Sequence, residues 1–270
     1  MSRAPDRHFI LTLGRSGSNY FVNVVNQHPQ LLNYGEVLGS WTTVQKLVPG
    51  AVKRRFGEAV VPDVLLGSAA VLYAAQLQRA ARRLAKGESH GVKRRSRLRS
   101  VGVKDFSLNL GRMGLASYLD DRPDIKVIAL FRRDVLDRAI SYRMLERSGV
   151  VLARAGEATP RPAALRLEPE GVVELLGRIE AENRELEAMV DRLAPERVLR
   201  IEYETYFHDP DVRARTDRAL FAFLGADPFE PEVRMRKIIR RPPSEVIENW
   251  AECREAVRGT RFEPLFEAAS

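Results

Sequence analysis

Short apolar runs that give way to helical spacing organise this chain. Phe9 to Leu13 is such a run; it breaks at Gly14, and Phe21, Val24 and Val25 then recur on one face of a helix. Val101-Gly-Val-Lys104 and Ile125 to Phe131 read as buried strands, the second so continuously apolar that it suits the middle of a parallel sheet. Leu31 to Tyr34 and Arg197 to Glu202 read as two further strands. Helical spacing returns at Leu108–Leu119 behind Asp105 and Ser107 as caps, from Val135 to Tyr142, from Val172 to Leu193, and from Val212 to Leu224, where Gly225 is a stop. Strands alternating with helices predict an α/β fold with a central, mainly parallel sheet.

Two stretches interrupt this alternation. Residues 41–100 read as a helical insertion, with Trp41, Val44, Leu47 and Val48 at helical spacing and a long helix starting near Pro62 and running to about Lys86. Residues 148–169 carry three prolines and little periodicity, and read as a loop. With both counted as parts of one unit, residues 1–270 make a single domain.

Charge sharpens the picture of the insertion. The formal net charge is +8, and between Arg79 and Arg99 stand nine basic residues and one acid, while the remainder of the chain is balanced. A solvated helix face and basic loop, a nucleic acid, a membrane surface or an anionic substrate each account for such a segment. Nucleic acid is not expected, because no aromatic residues interleave with the arginines to stack bases. The apolar-then-basic helix suits a lid, a partner surface or a peripheral membrane contact. The longest uncharged stretch, Val64 to Gln78, is shorter than the roughly 20 residues of a spanning helix. The single cysteine, Cys253, excludes an internal disulfide, no signal peptide is visible, and no Cys/His cluster has zinc spacing, so a cytoplasmic protein without a metal is expected.

The candidate chemistry lies where strands end. Gly14-Arg-Ser-Gly-Ser18 between a strand and a helix has what an anion cradle needs: glycines that admit close approach, helix N–H groups aimed at the ligand, and the cation of Arg15. It is not a Walker A loop, since the glycines are too close and no lysine follows the second. Arg132-Arg133 also follows a strand directly, and loops at the carboxyl ends of parallel strands share one edge of the sheet.

Together these residues resemble the sulfotransferases that use 3′-phosphoadenosine 5′-phosphosulfate (PAPS). Gly14–Ser18 resembles the 5′-phosphosulfate loop, and the spacing from Arg133 to Ser141 resembles the 3′-phosphate site. Asn26-Gln-His-Pro29 followed by Gly35-Glu36 resembles the carbohydrate and tyrosylprotein branch, in which an acid at this place is the proposed base. The resemblance implies a P-loop-like three-layer fold and sulfuryl transfer from PAPS to an acceptor hydroxyl, on a carbohydrate or glycolipid, leaving PAP. It implies Glu36 as general base and Arg15 as the cation at the leaving oxygen. Arg15, Ser16, Gly17, Ser18, Asn19, Tyr20, Arg133, Ser141 and Tyr203 are the implied donor contacts, with Arg240 or Arg241 closing over the nucleotide. No metal is required. His28 is read as packing or capping, Asp105 as a cap, and Lys104 as a cation near donor or acceptor. A metal-dependent P-loop kinase using ATP and a non-catalytic polyanion-binding protein are the alternatives.

Overall fold

In the computed structural model the described residues are 4–39, 41–85, 91–148, 153–154, 165–232, 235–236 and 241–269. They fall into two compact units. The first comprises residues up to Leu13, Gly17–Phe131 and Leu186–Pro231, and the second comprises Gly14–Ser16, Arg132–Glu185 and the chain from Glu232 onward.

The first unit contains a five-stranded, all-parallel sheet flanked by helices. Its strands are β1 (Asp6–Thr12), β2 (Leu31–Asn33), β3 (Ser100–Phe106), β4 (Ile125–Phe131) and, after a two-residue strand β5 (Ala153–Arg154) that belongs to the second unit, β6 (Val198–Glu202). The order is β2-β3-β1-β4-β6, so β1 lies in the middle with Phe9 opposite both Val103 and Val127. This position explains the apolar run at its C-terminal half: Phe9, Ile10, Leu11 and Leu13 are all buried. One buried histidine breaks the pattern. His8 is enclosed between Ser100, 2.8 Å from Nδ1, and the Asn33 amide, which donates to Nε2 at 3.1 Å. Gly102 lies beside this ring in β3, where a Cβ would come within 2.1 Å of it.

Helix α1 (Ser18–Gln27) connects β1 to β2 and buries Tyr20, Phe21, Val24 and Val25. His28 then ends it: its Nδ1 accepts from the Gln30 N–H, its Nε2 bonds the Asp227 carbonyl at 2.9 Å, and its ring packs on Phe221 and Phe229.

The insertion folds as α2 (Gly50–Phe56), α3 (Val60–Gly67) and α4 (Ala69–Leu84). The expected long helix from Pro62 is broken. Pro62 lies inside α3, Ser68 caps α4 through the Val71 N–H, and the two helices meet at 88°. Val61, Leu65, Leu72 and Ala75 join the core beneath the sheet, so the insertion is part of the packed interior. Its charge is also partly internal. The Lys93 ammonium donates to the carbonyls of Asn26, His28 and Leu31 at 2.6–2.8 Å, and Arg79 donates to those of Asn33 and Tyr34. Lys86 lies outside the described residues. Among the described residues no single helix is long and apolar enough to cross a membrane.

The first unit also holds α5 (Ser107–Arg112), α8 (Tyr203–His208) and α9 (Pro210–Phe223), the last started by the Asp209 carboxylate and ended before Gly225 at φ 69°. The helix expected to continue to Leu119 stops at Arg112; Gly114, at φ 68°, turns the chain, and Tyr118 and Leu119 are buried from irregular backbone.

The second unit is mostly helical. Helix α6 (Val135–Ser148) and the N-terminal part of α7 (Pro169–Asp191) pack with α10 (Pro243–Val246), α11 (Trp250–Ala256) and α12 (Glu263–Ala268) around Ile140, Leu176, Ile179, Cys253, Val257 and Phe266. Strands β5 and β7 (Met235–Arg236) pair antiparallel. The loop expected over 148–169 falls largely outside the described residues, as does Arg240.

Candidate functional site

The turn after β1 has an unusual backbone. Among the described residues, Arg15 is the only non-glycine at positive φ, 67°. That conformation costs an L-residue on the order of 1–2 kcal/mol, and such outliers concentrate where a site needs them. Gly17 follows at φ 73° as the N-cap of α1. Alternation of this kind turns successive backbone N–H groups toward one concave side, the form of an anion nest. No side chain caps α1 and its first turn carries no acid, so the positive end of its dipole is uncompensated. The Ser16 hydroxyl is buried with no hydrogen-bond partner among the described residues. An orphaned buried hydroxyl beside an uncapped helix start suits a phosphate or sulfate oxygen. The Tyr20 N–H is already engaged, bonding the Gly17 carbonyl at 2.9 Å inside α1.

Gly17 has a second reason to be glycine. A Cβ there would lie 3.0 Å from the Phe207 ring and 3.2 Å from Tyr203. Both rings belong to an aromatic cluster with Tyr20, Phe21 and Tyr206, centroids 4.6–6.3 Å apart. Tyr20 and Tyr203, expected as donor contacts, are buried and pack within this cluster beside the turn. Burial raises the Tyr20 phenol above its ordinary value.

In the first unit, Lys104 and Asp105, just before the last residue of β3, are both buried. Lys104 Nζ pairs with Glu36 Oε1 at 2.5 Å and stands 4.0 Å above the Phe106 ring. Glu36 Oε2 accepts from the Trp41 indole at 2.7 Å. A carboxylate has about four lone-pair directions, so each oxygen retains one for another donor. Asp105 is not the cap of α5. Its Oδ2 accepts from the N–H groups of Val37 and Leu38 at 2.9 and 2.7 Å, while Oδ1 accepts from Phe106 N–H and Asn109. It fixes the segment that carries Glu36, a positioning role that reading it as a helix cap missed. The Ser107 hydroxyl, the other expected cap, is buried without a partner among the described residues.

In the second unit, the backbone of the turn is tied down by arginines. Arg132 Nη1 donates to the Arg15 carbonyl, and Nη2 pairs with Asp137 at 2.5 Å. Arg138 donates to the Gly14 carbonyl at 3.1 Å, to the Ile179 carbonyl and to Asn183, and pairs with Glu182. Burial lowers the Arg138 pKa, with Glu182 opposing that effect. Asn183 completes the ring by donating to the Arg132 carbonyl. The Arg15 side chain bonds Ser141 through Nε at 3.0 Å, joining residues 126 apart in sequence. Arg133 and Arg241 are exposed. Sequence reading noted Arg132 only as a strand-end cation and passed over Arg138 and Asn183, whose partners lie far along the chain. Among the described residues no group of three or more His, Cys, Asp or Glu could hold a metal ion.

No known family profile matches this chain, and no curated protein sequence matches it. Solved structures do. A sulfotransferase from Alicyclobacillus acidocaldarius is 19% identical, with 98% of this chain and 95% of that chain covered at a TM-score of 0.47. The sulfotransferase domain of the curacin biosynthetic pathway is 19% identical over 85% of this chain and 77% of that one, at 0.46. The sulfotransferase domain of the Synechococcus PCC 7002 olefin synthase is 18% identical over 84% and 76%, at 0.44.

Proposed function

We propose that this chain is a PAPS-dependent sulfotransferase acting on an acceptor hydroxyl, on a carbohydrate or glycolipid, in the manner of the carbohydrate and tyrosylprotein branch. The observation that carries the reading is the turn at Gly14–Ser18: two left-handed residues, an uncapped ten-residue helix and an orphaned buried serine hydroxyl. These residues fit a phosphosulfate group. When bound, PAPS supplies an activated sulfuryl group whose leaving group is a phosphate.

Within this reading the N–H groups of Ser18 and Asn19 and the hydroxyl of Ser16 bind the 5′ end of the donor. Arg15 opposes the negative charge that grows as the phosphate leaves; an arginine does this electrostatically, since it does not give up a proton. Ser141 orients the Arg15 guanidinium, and Arg133 takes the 3′-phosphate as a bidentate partner. Glu36 accepts the proton of the acceptor hydroxyl, with Lys104 and Trp41 fixing the direction of its carboxylate.

The test is incubation with sulfur-labelled PAPS and pooled hydroxyl acceptors, with and without chelator, alongside ATP as a competing nucleotide. Labelled product without metal, and tight binding of PAPS but not ATP, support the reading. A requirement for magnesium together with phosphoryl transfer from ATP overturns it.

A further inference from the structure

The first unit contains a cleft of about 320 Å³, within the size range of small-molecule sites. Glu36, Trp41, Thr43 and the α4 residues Arg79 and Arg82 line it, together with Tyr34. Two guanidiniums therefore face one carboxylate, so the lining is net cationic. The arginines stand three positions apart, on one face of α4. Arg79 is committed to the backbone carbonyls of Asn33 and Tyr34, which fixes its guanidinium in the wall. Arg82 Nη2 donates to Thr43 Oγ1 at 2.9 Å, one contact for a group with five N–H donors. The Tyr34 hydroxyl is buried and has no hydrogen-bond partner among the described residues. The Trp41 indole, 63% exposed, offers an apolar face beside Glu36.

We propose that this cleft binds the acceptor by an anionic group, a carboxylate or its equivalent, held by Arg82 and Arg79 while the acceptor's hydroxyl lies toward Glu36. The assignment of the occupant as acceptor rests on the sulfuryl-transfer reading; the preference for an anion rests on the cleft alone. The acceptor is thus a hydroxylated compound that already carries a negative charge, and a neutral alcohol of the same shape is a poor ligand.

The chain has two tryptophans, so a Trp250→Phe variant isolates Trp41 as a fluorescent reporter in the wall of the cleft. Folding is checked by circular dichroism. The variant is titrated with glucuronate against glucose, and with 4-hydroxybutyrate against 1-butanol. The expected result is a saturable change in Trp41 emission with each acid, at least about tenfold tighter than with its neutral partner, and a fall to within about threefold on adding Arg82→Gln. Arg82→Lys retains part of the preference, because it keeps the charge and loses the fork. Absence of a saturable change with either acid overturns the proposal, and so does a preference that survives Arg82→Gln. PAPS binding is measured separately on the same protein. Acid binding without PAPS binding leaves the cleft standing and removes the sulfuryl-transfer reading; PAPS turnover without acid preference does the reverse.

Discussion

The two units treat buried cations in opposite ways. In the sheet unit, Lys104 is 1% exposed and directs a single ammonium at one carboxylate, Glu36, which still lines an open cleft. In the helical unit, Arg132 and Arg138 divide their guanidinium forks between acids and the carbonyls of the turn, Arg15 and Gly14. The lysine is a point charge that fixes one carboxylate. The arginines are planar clamps that hold backbone in a strained shape. Buried cations in one chain therefore do different work, decided by whether their partners are side chains facing a cleft or carbonyls of the chain itself.

That contrast can be broken first at Glu36. Glu36→Gln retains the contacts to Lys104 and Trp41 in part but cannot take a proton. Labelled transfer should fall by about 10²–10⁴-fold while donor affinity stays within a factor of a few. An unchanged rate removes Glu36 as the base. In the helical unit the main effect should be on stability. Arg138→Met leaves the half-buried Glu182 carboxylate and two backbone carbonyls without their donor, and should cost about 2–4 kcal/mol in urea unfolding. A loss under 1 kcal/mol would make the clamp dispensable.

A smaller effect separates the units by pH. Burial is the main cause lowering the His8 pKa from 6.5 to about 3, and nearby Lys126 adds to it. Between these values the unfolded chain binds a proton that the folded chain refuses, so stability falls as pH drops below about 6.5 and levels off near 3. The change from pH 7 to pH 5 is about 2 kcal/mol. His8→Gln should flatten that slope for the sheet unit, read by the pH dependence of the urea midpoint; a slope that persists assigns the effect elsewhere. Smallest is Gly17→Ala. The left-handed φ and the contact with Phe207 should together cost about 1 kcal/mol or somewhat more, and a Phe207→Leu background should return part of it. No change in thermal midpoint would show that the turn relaxes freely.

Much of the sheet was legible. The apolar runs at Phe9–Leu13 and Ile125–Phe131 marked β1 and β4 because strands buried on both faces have no room for polar alternation. The helix stop at Gly225 and the end of α1 at His28-Pro29 were legible for equally local reasons. Legibility failed where the deciding partner was remote. Apolar spacing through Leu119 looked helical, yet Gly114 turned the chain and burial alone kept Tyr118 and Leu119 inside. Pro62 looked like a helix start, but the break came at Ser68, whose hydroxyl caps the next helix.

For the site, sequence by itself determined the kinds of group available: a glycine-serine turn after the first strand, an acid at Glu36, and arginines after the fourth strand. Local chemistry settles those, because a residue's charge, size and φ freedom travel with it. Only the tertiary structure decided which groups are engaged. It assigned Asp105 to the Val37 and Leu38 amides, Lys104 to Glu36, Ser141 to Arg15, and Lys93 to three backbone carbonyls. Each of these pairs joins residues at least 62 positions apart. Their partnership is set by strand register and loop closure, which no local window of sequence contains.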